Sequence, residues 1–282
     1  RAVLKAPPGF VYPDWVLNAL GGIPACIDPT VATAAKTIAG TMLDLFTDQR
    51  PTLSAADAAA AARLNRTTTY RLLSALEDVG LLARDPGDEH YRLGPGAIAL
   101  GARAMRANPL QHAAQAELQA LATQSGETAT LEIPVGVEML IAAEAVSAHL
   151  LGSAPSLGTR WPMHATSTGK AYLAALPDDA RTAWLDAAGR LKAWTPRTLT
   201  GREALTRSLD QIRRAGYATV RDELERGFTA CGAAVRDHRG LPVGALSLGG
   251  PSARLTTTRL RALGAAVAAA ARRVSAALGY TG

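Results

Sequence analysis

The stretch from Ser54 to Leu93 constrains this chain more than any other, because its punctuation divides it into two short helices and a hairpin. Ser54 followed three residues later by Asp57 is a capping-box pattern: serine accepts from orphan amide groups, and the acid suits the positive end of a helix. The alanines that follow are slim enough to let another helix approach closely. Arg63-Leu64-Asn65 then breaks the pattern. Asn65 is placed to N-cap a second helix that runs to about Val79 and is stopped by Gly80. On that helix Thr68, Leu72, Leu76 and Val79, joined by Leu73, form an apolar stripe at helical spacing. The opposite face carries Arg66, Thr67, Tyr70, Arg71 and Ser74. Residues 81–84 and 90–93 read as short strands around Asp85-Pro86-Gly87-Asp88-Glu89, a strong turn sequence. Two helices, a tight turn and a hairpin in this order make a winged helix-turn-helix.

The outward face of the second helix suits double-stranded DNA. Threonine and tyrosine hydroxyls bond phosphate oxygens, and arginine neutralises phosphate or forks onto guanine. Between Gln49 and Glu77 the only acid is Asp57. The candidate DNA contacts are Arg66, Thr67, Thr68, Tyr70 and Arg71, flanked by the caps Ser54 and Asn65, with Arg84, His90 and Arg92 on the wing. Bulk charge does not carry this reading. The chain is net +6, yet from 36 to 106 nine bases (Lys36, Arg50, Arg63, Arg66, Arg71, Arg84, Arg92, Arg103, Arg106) face eight acids (Asp44, Asp48, Asp57, Glu77, Asp78, Asp85, Asp88, Glu89). Segregation onto one helix face carries it instead. On pattern alone, an ordinary helical hairpin with solvated arginines is the competing reading.

At 282 residues and 48% apolar content the chain can bury two cores. Its two cysteines, Cys26 and Cys231, have no metal spacing and suggest no disulfide framework, so a reducing, cytoplasmic compartment is expected. No apolar run approaches the roughly 18 residues that span a bilayer. Residues 1–30, rich in proline and glycine, lack a basic segment leading into a long apolar core and do not read as a signal peptide.

Along the rest of the chain, Ile38, Met42, Leu45 and Phe46 argue for a supporting helix before the pair. Residues 96–106 read as a short helix, and Pro109 opens a longer one with Leu110, Ala114, Leu118 and Leu121 at three-to-four spacing. Strand-like segments at 128–134 and 138–145 form a hairpin, as do 229–236 and 241–248. Helices are expected at 205–214 and 256–278. The organisation is an extension (1–30), a winged helix-turn-helix domain (31–95), linker helices (96–125) and a mixed α+β domain (126–282).

Catalytic patterns are incomplete. Thr168-Gly169-Lys170 lacks the upstream glycine of a phosphate loop, and Ala171 stands where the metal-binding hydroxyl belongs. The small and hydroxyl residues there either cap a helix or cradle an anion at its start. Ala245-Leu246-Ser247-Leu248-Gly249 approximates a nucleophile elbow, but Gly250-Pro251 follows where a helix is required. The five histidines form no ligand pair, so no metal site is expected, and no cofactor motif is present.

The run Asn65-Arg66-Thr67-Thr68-Thr69-Tyr70-Arg71-Leu72-Leu73 and the wing's Tyr91-Arg92-Leu93-Gly94 resemble the DNA-binding domain of the IclR-type bacterial transcriptional regulators. Two later segments extend the resemblance over roughly residues 32–280: His164-Ala165-Thr166-Ser167-Thr168-Gly169-Lys170-Ala171, and Gly216-Tyr217-Ala218 with the acidic cluster up to Gly227. The resemblance implies a GAF-like effector domain, a homodimer or homotetramer, and dimer contacts from the helices between the domains. It also implies an effector pocket at Ser167, Thr168, Gly169, Val220, Ala230, Cys231, Ser247 and Gly249. The family's small-keto-acid binders carry an acid where Val220 stands and a cysteine where Ala230 stands, with Cys231 one position late. Loss of those groups implies a more apolar or larger effector, an organic acid or an aromatic molecule. The expected function is therefore an effector-controlled, DNA-binding transcriptional regulator. The alternatives are a hydrolase using Ser247 or Cys231, and a ligand-binding module whose helix-turn-helix contacts only protein.

Overall fold

The computed structural model describes residues 40, 42–47, 49–84, 87–146 and 157–282. The extension at 1–30, the start of the supporting helix, and Asp85-Pro86 of the hairpin turn lie outside the described residues. The chain divides into two compact units at Ala104/Met105.

In the first unit, β1 (Thr52–Ser54) runs into α1 (Ala55–Ala62), α2 (Arg66–Asp78), β2 (Leu82–Ala83) and β3 (His90–Leu93), followed by α3 (Pro95–Arg106). Ser54 ends β1 and caps α1, its Oγ accepting from the Asp57 amide (3.1 Å) and donating to the Asp57 carboxylate (2.7 Å). Asn65 caps α2 by accepting from the Thr68 amide at 2.8 Å. Between them Arg63 takes the left-handed conformation (φ 55°) that lets the chain reverse, a strain of about 1 kcal/mol.

The buried stripe on α2 is Thr69, Leu73 and Leu76: Leu73 and Leu76 belong to the expected stripe, and Thr69 takes the place of Thr68. Thr68 is half-buried and Val79 is exposed. A threonine can face the core here because the Thr69 hydroxyl donates to the Asn65 carbonyl at 3.0 Å, so no polar group is stranded. Met42, Phe46, Leu53, Ala58, Leu82 and Tyr91 complete this core. The hairpin strands are joined by a third, unexpected strand: β1 pairs antiparallel with β3 in the order β1-β3-β2, Leu53 opposite Tyr91. Gly94 and Gly96 allow the chain after the wing to pass against Gly80. A Cβ at either would lie 2.4 to 2.6 Å from the Gly80 carbonyl oxygen.

The second unit is a six-stranded antiparallel sheet in the order β6-β5-β4-β9-β8-β7. Its strands are β4 (Thr128–Val135), β5 (Glu138–Ala145), β6 (Arg160–Pro162), β7 (Ala218–Arg221), β8 (Phe228–Arg236) and β9 (Pro242–Pro251). One face is covered by α4 (Pro109–Ser125) and α8 (Thr257–Ala277), where Leu110, Leu118, Leu131, Cys231, Leu246 and Val267 share a core. The helix expected to link the domains is thus a packed element of this unit. It starts on Asn108 and Pro109 and ends on Gly126 at φ 69°.

The other face carries α5 (Ser167–Ala175), α6 (Asp178–Ala188) and α7 (Arg202–Ala215), packed through Met163, Leu173, Trp184, Leu205 and Leu209. α6, β6 and β7 had no counterpart among the expected elements. Among the described residues no helix is long and apolar enough to cross a membrane.

Candidate functional site

Two surfaces hold the candidate residues, one in each unit. On α2, Arg66, Thr67, Tyr70 and Arg71 are all exposed, Tyr70 by 54%. Neither arginine forms an ion pair with another described residue, so both guanidinium groups are free to meet phosphate or a base edge.

The other candidates of this unit are already engaged. The Ser54 and Asn65 oxygens serve their own helices. Arg84 grips Glu77 through two bonds of 2.9 and 3.0 Å and lies 4.9 Å from the centre of the Tyr91 ring, tying the wing to the end of α2. The Glu77 bonds hold the Arg84 pKa above its ordinary value. His90 Nδ1 sits 2.7 Å from the Asp88 carboxylate, which also accepts the His90 amide at 2.9 Å and is held below the usual carboxylate range by these bonds. Arg92 is partly buried on β3.

In the second unit a cavity of about 570 Å³ opens over the sheet. Two glycines build it by letting backbone approach backbone. A Cβ at Gly169 would lie 2.2 Å from the Met163 Cα, and one at Gly232 would lie 2.9 to 3.0 Å from the Ser167 and Thr168 backbone. α5 is therefore seated with its first turn directly on β8. Thr166 caps that turn, accepting from the Gly169 amide at 3.2 Å. The Ser167 hydroxyl then meets that of Ser247 on β9 at 3.3 Å, and Thr168 donates to Glu132 on β4 at 2.6 Å.

The far wall is the loop after β7, which turns at Asp222 (φ 58°). It is held from outside by Thr195 and Thr198, whose hydroxyls donate to the Asp222 and Glu223 carbonyls, each at 2.6 Å. From inside, Lys170 binds both Glu223 carboxylate oxygens at 2.5 and 2.6 Å. Burial pushes the Lys170 pKa down, against the opposing pull of Glu223.

Six of the eight candidate pocket residues line this cavity: Ser167, Thr168, Val220, Ala230, Ser247 and Gly249. The other two do not. Gly169 serves the close approach just described. Cys231 points through the opposite face of the sheet into the core under α4 and α8, as strand alternation requires of the neighbour of Ala230. Burial pushes its thiol up to about 12, leaving no thiolate for nucleophilic attack. The Ser247 hydroxyl is paired with Ser167, which cannot act as a base. Among the described residues no group of three side chains could hold a metal ion.

Glu132 is the pocket residue that pattern reading missed. It is 6% exposed, and burial raises its pKa to about 7 against the hydrogen bonds from Thr168 and Thr130. An isolated acid within an apolar strand was the available signal. Trp161, Phe228 and Leu224 add apolar wall.

Residues 102–276 match the family model described as bacterial transcriptional regulator IclR C-terminal, and residues 37–86 match the IclR helix-turn-helix domain. The chain is 32% identical over 213 residues to the HTH-type transcriptional repressor AllR of Klebsiella pneumoniae, covering 76% of this chain and 78% of that one. It is 29% identical over 240 residues to the transcriptional repressor IclR of Escherichia coli K12, covering 84% and 87%. The crystal structure of an IclR transcriptional regulator from Alicyclobacillus acidocaldarius superimposes with a TM-score of 0.80 at 27% identity, covering 87% of this chain and 99% of that one.

Proposed function

This chain belongs to the IclR family of bacterial transcriptional regulators, and from that premise we propose that α2 is the helix that reads its operator, with Arg66, Thr67, Tyr70 and Arg71 in or beside the major groove. The observation that carries this reading is their joint exposure on one face of a capped helix, with both arginines unpaired among the described residues. Thr68 supports the helix start, and Arg84, His90 and Arg92 belong to a wing that flanks the backbone or minor groove.

A palindromic site read by a dimer follows from two such helices. α3 supports that assembly: it buries no residue in the chain itself and exposes Ile98, Leu100 and Met105, apolar surface that a partner subunit would cover. Its working compartment is the bacterial cytoplasm, where the operator lies.

The cavity of the second unit is the effector site in this reading. Its volume falls in the range of small-molecule pockets, and Ile141, Trp161, Val220, Phe228 and Ala230 favour an aromatic or apolar body over a small keto acid. Effector and operator affinities are then reciprocally linked.

A gel shift at fixed salt on DNA flanking the gene tests the DNA assignment. Wild type is expected to retard a probe containing an inverted repeat and to ignore a scrambled one. Arg66→Ala with Arg71→Ala is expected to remove that discrimination, and retained discrimination would overturn the assignment of α2.

A further inference from the structure

Val220 and Ala230 leave one wall of the cavity apolar, and Glu132 places a carboxylate on another. Its carboxylate lies on the sheet face beneath the cavity, and its two oxygens accept the Thr168 and Thr130 hydroxyls at 2.6 and 3.1 Å. Thr168 belongs to the first turn of α5, where the unpaired amide groups and the helix dipole draw negative charge. The chain's own carboxylate therefore stands where an incoming anion would otherwise be attracted.

Nothing cationic among the described residues is ion-paired with Glu132. Lys170 of α5 is committed to Glu223, and the remaining charged groups lining the cavity, Glu223, Glu225 and Arg226, come from the loop after β7. His164, in the turn before α5, bonds the Lys192 carbonyl instead. The cavity-lining residues of β5 and β9, Ile141, Ser247, Gly249 and Pro251, carry no charge. Arg226, the one cation among the described lining residues, is exposed on the loop after β7. A second carboxylate held beside the buried Glu132 would therefore meet like charge with no cation paired to it, and one of the two would have to take up a proton. A hydroxyl or amine would instead donate to an acceptor already held in place.

We propose that Glu132 fills the anion position at the start of α5 with the protein's own carboxylate, so that the cavity rejects carboxylate effectors and takes an apolar or aromatic ligand whose hydroxyl or amine donates to Glu132. This rests on reading the cavity as the effector site.

The test uses the full chain and matched alcohol, amine and carboxylate probes built on phenylpropyl, naphthylmethyl and octyl bodies, titrated calorimetrically at pH 8 into wild type, Glu132→Gln and Ala230→Trp. Expected is at least tenfold tighter binding of an alcohol or amine than of its matched acid by wild type. Glu132→Gln should narrow that ratio at least tenfold, and Ala230→Trp should abolish binding by filling the cavity. An acid bound by wild type as tightly as its alcohol and amine, or a ratio unchanged in Glu132→Gln, overturns the role of Glu132 and leaves the effector site standing. Binding that survives in Ala230→Trp, or no binding of any probe to wild type or Glu132→Gln, overturns the effector-site reading and this inference with it.

Discussion

The Lys170 ammonium is closed onto both oxygens of the Glu223 carboxylate at 2.5 and 2.6 Å, with 1% of the lysine side chain exposed. The pair joins α5 to the loop that walls the cavity. Removing one partner strands the other in a low-dielectric site, which costs about 3–5 kcal/mol, whereas removing both is far milder. Lys170→Met and Glu223→Gln are each expected to lower stability by that amount, and Lys170→Met with Glu223→Leu to recover most of it. Urea unfolding followed by tryptophan fluorescence reads mainly this unit, because three of the four tryptophans, Trp161, Trp184 and Trp194, lie in it, and a Trp15→Phe background removes the fourth. Single variants as stable as wild type would show that the pair is solvated.

Glu132 gives stability a pH dependence of opposite sign to that of a salt-bridged carboxylate. Its folded pKa of about 7 stands above the ordinary 4.5. Between these values the folded state binds more protons than the unfolded chain, and stability falls as pH rises through the window. The penalty is complete above pH 7 and is on the order of 3 kcal/mol. Glu132→Gln, which cannot ionise, is expected to gain on wild type by roughly that amount between pH 4.5 and pH 8, measured by urea titration at each pH. A constant difference between the two proteins would refute the raised pKa.

Gly169 has no room for a methyl group. A Cβ there would lie 2.2 to 2.6 Å from the Met163 backbone, which cannot swing aside as a side chain would. Gly169→Ala is expected to cost about 2–3 kcal/mol or to prevent folding of the second unit, with the melting temperature as readout.

On DNA, Arg66 and Arg84 are expected to behave differently although both are arginines near the groove. Arg66→Ala should reduce the slope of log affinity against log salt by about 1. Arg84→Ala should reduce it less, because Glu77 already neutralises that guanidinium in the free protein. Equal losses in filter binding from 50 to 300 mM salt, a range of roughly tenfold or less, would mean that the Glu77 contact breaks on docking.

Local signals made much of this legible in the sequence. Ser54, Asn65, Gly80 and Pro109 each specify a helix end through chemistry confined to a few residues, and the ends lie where that chemistry requires. What depends on tertiary pairing was not legible. β1 has three residues, too few for any periodicity, and exists because Leu53 lies opposite Tyr91. Thr69 belongs to neither face of its helix in the sequence pattern, because its burial depends on the Asn65 carbonyl accepting its hydroxyl. The cavity positions at Ser167, Thr168, Val220, Ala230, Ser247 and Gly249 were reached through family resemblance, while Glu132 departs from anything that resemblance supplied. Cys231 misled because adjacency in sequence means opposition across a sheet.

The close approaches of α5 to the Met163 backbone at Gly169 and to β8 at Gly232 bear on how this binding site can diverge. At those two points the floor is backbone against backbone, so no side chain there can be enlarged or trimmed to suit a new ligand. Successive small substitutions have room to act on the far wall, among Leu224, Arg226 and Phe228, and on cavity-facing sheet positions such as Val220 and Ala230. Paralogues of this chain should therefore diversify in a ring around a fixed base, trading ligands without rebuilding the platform that senses them.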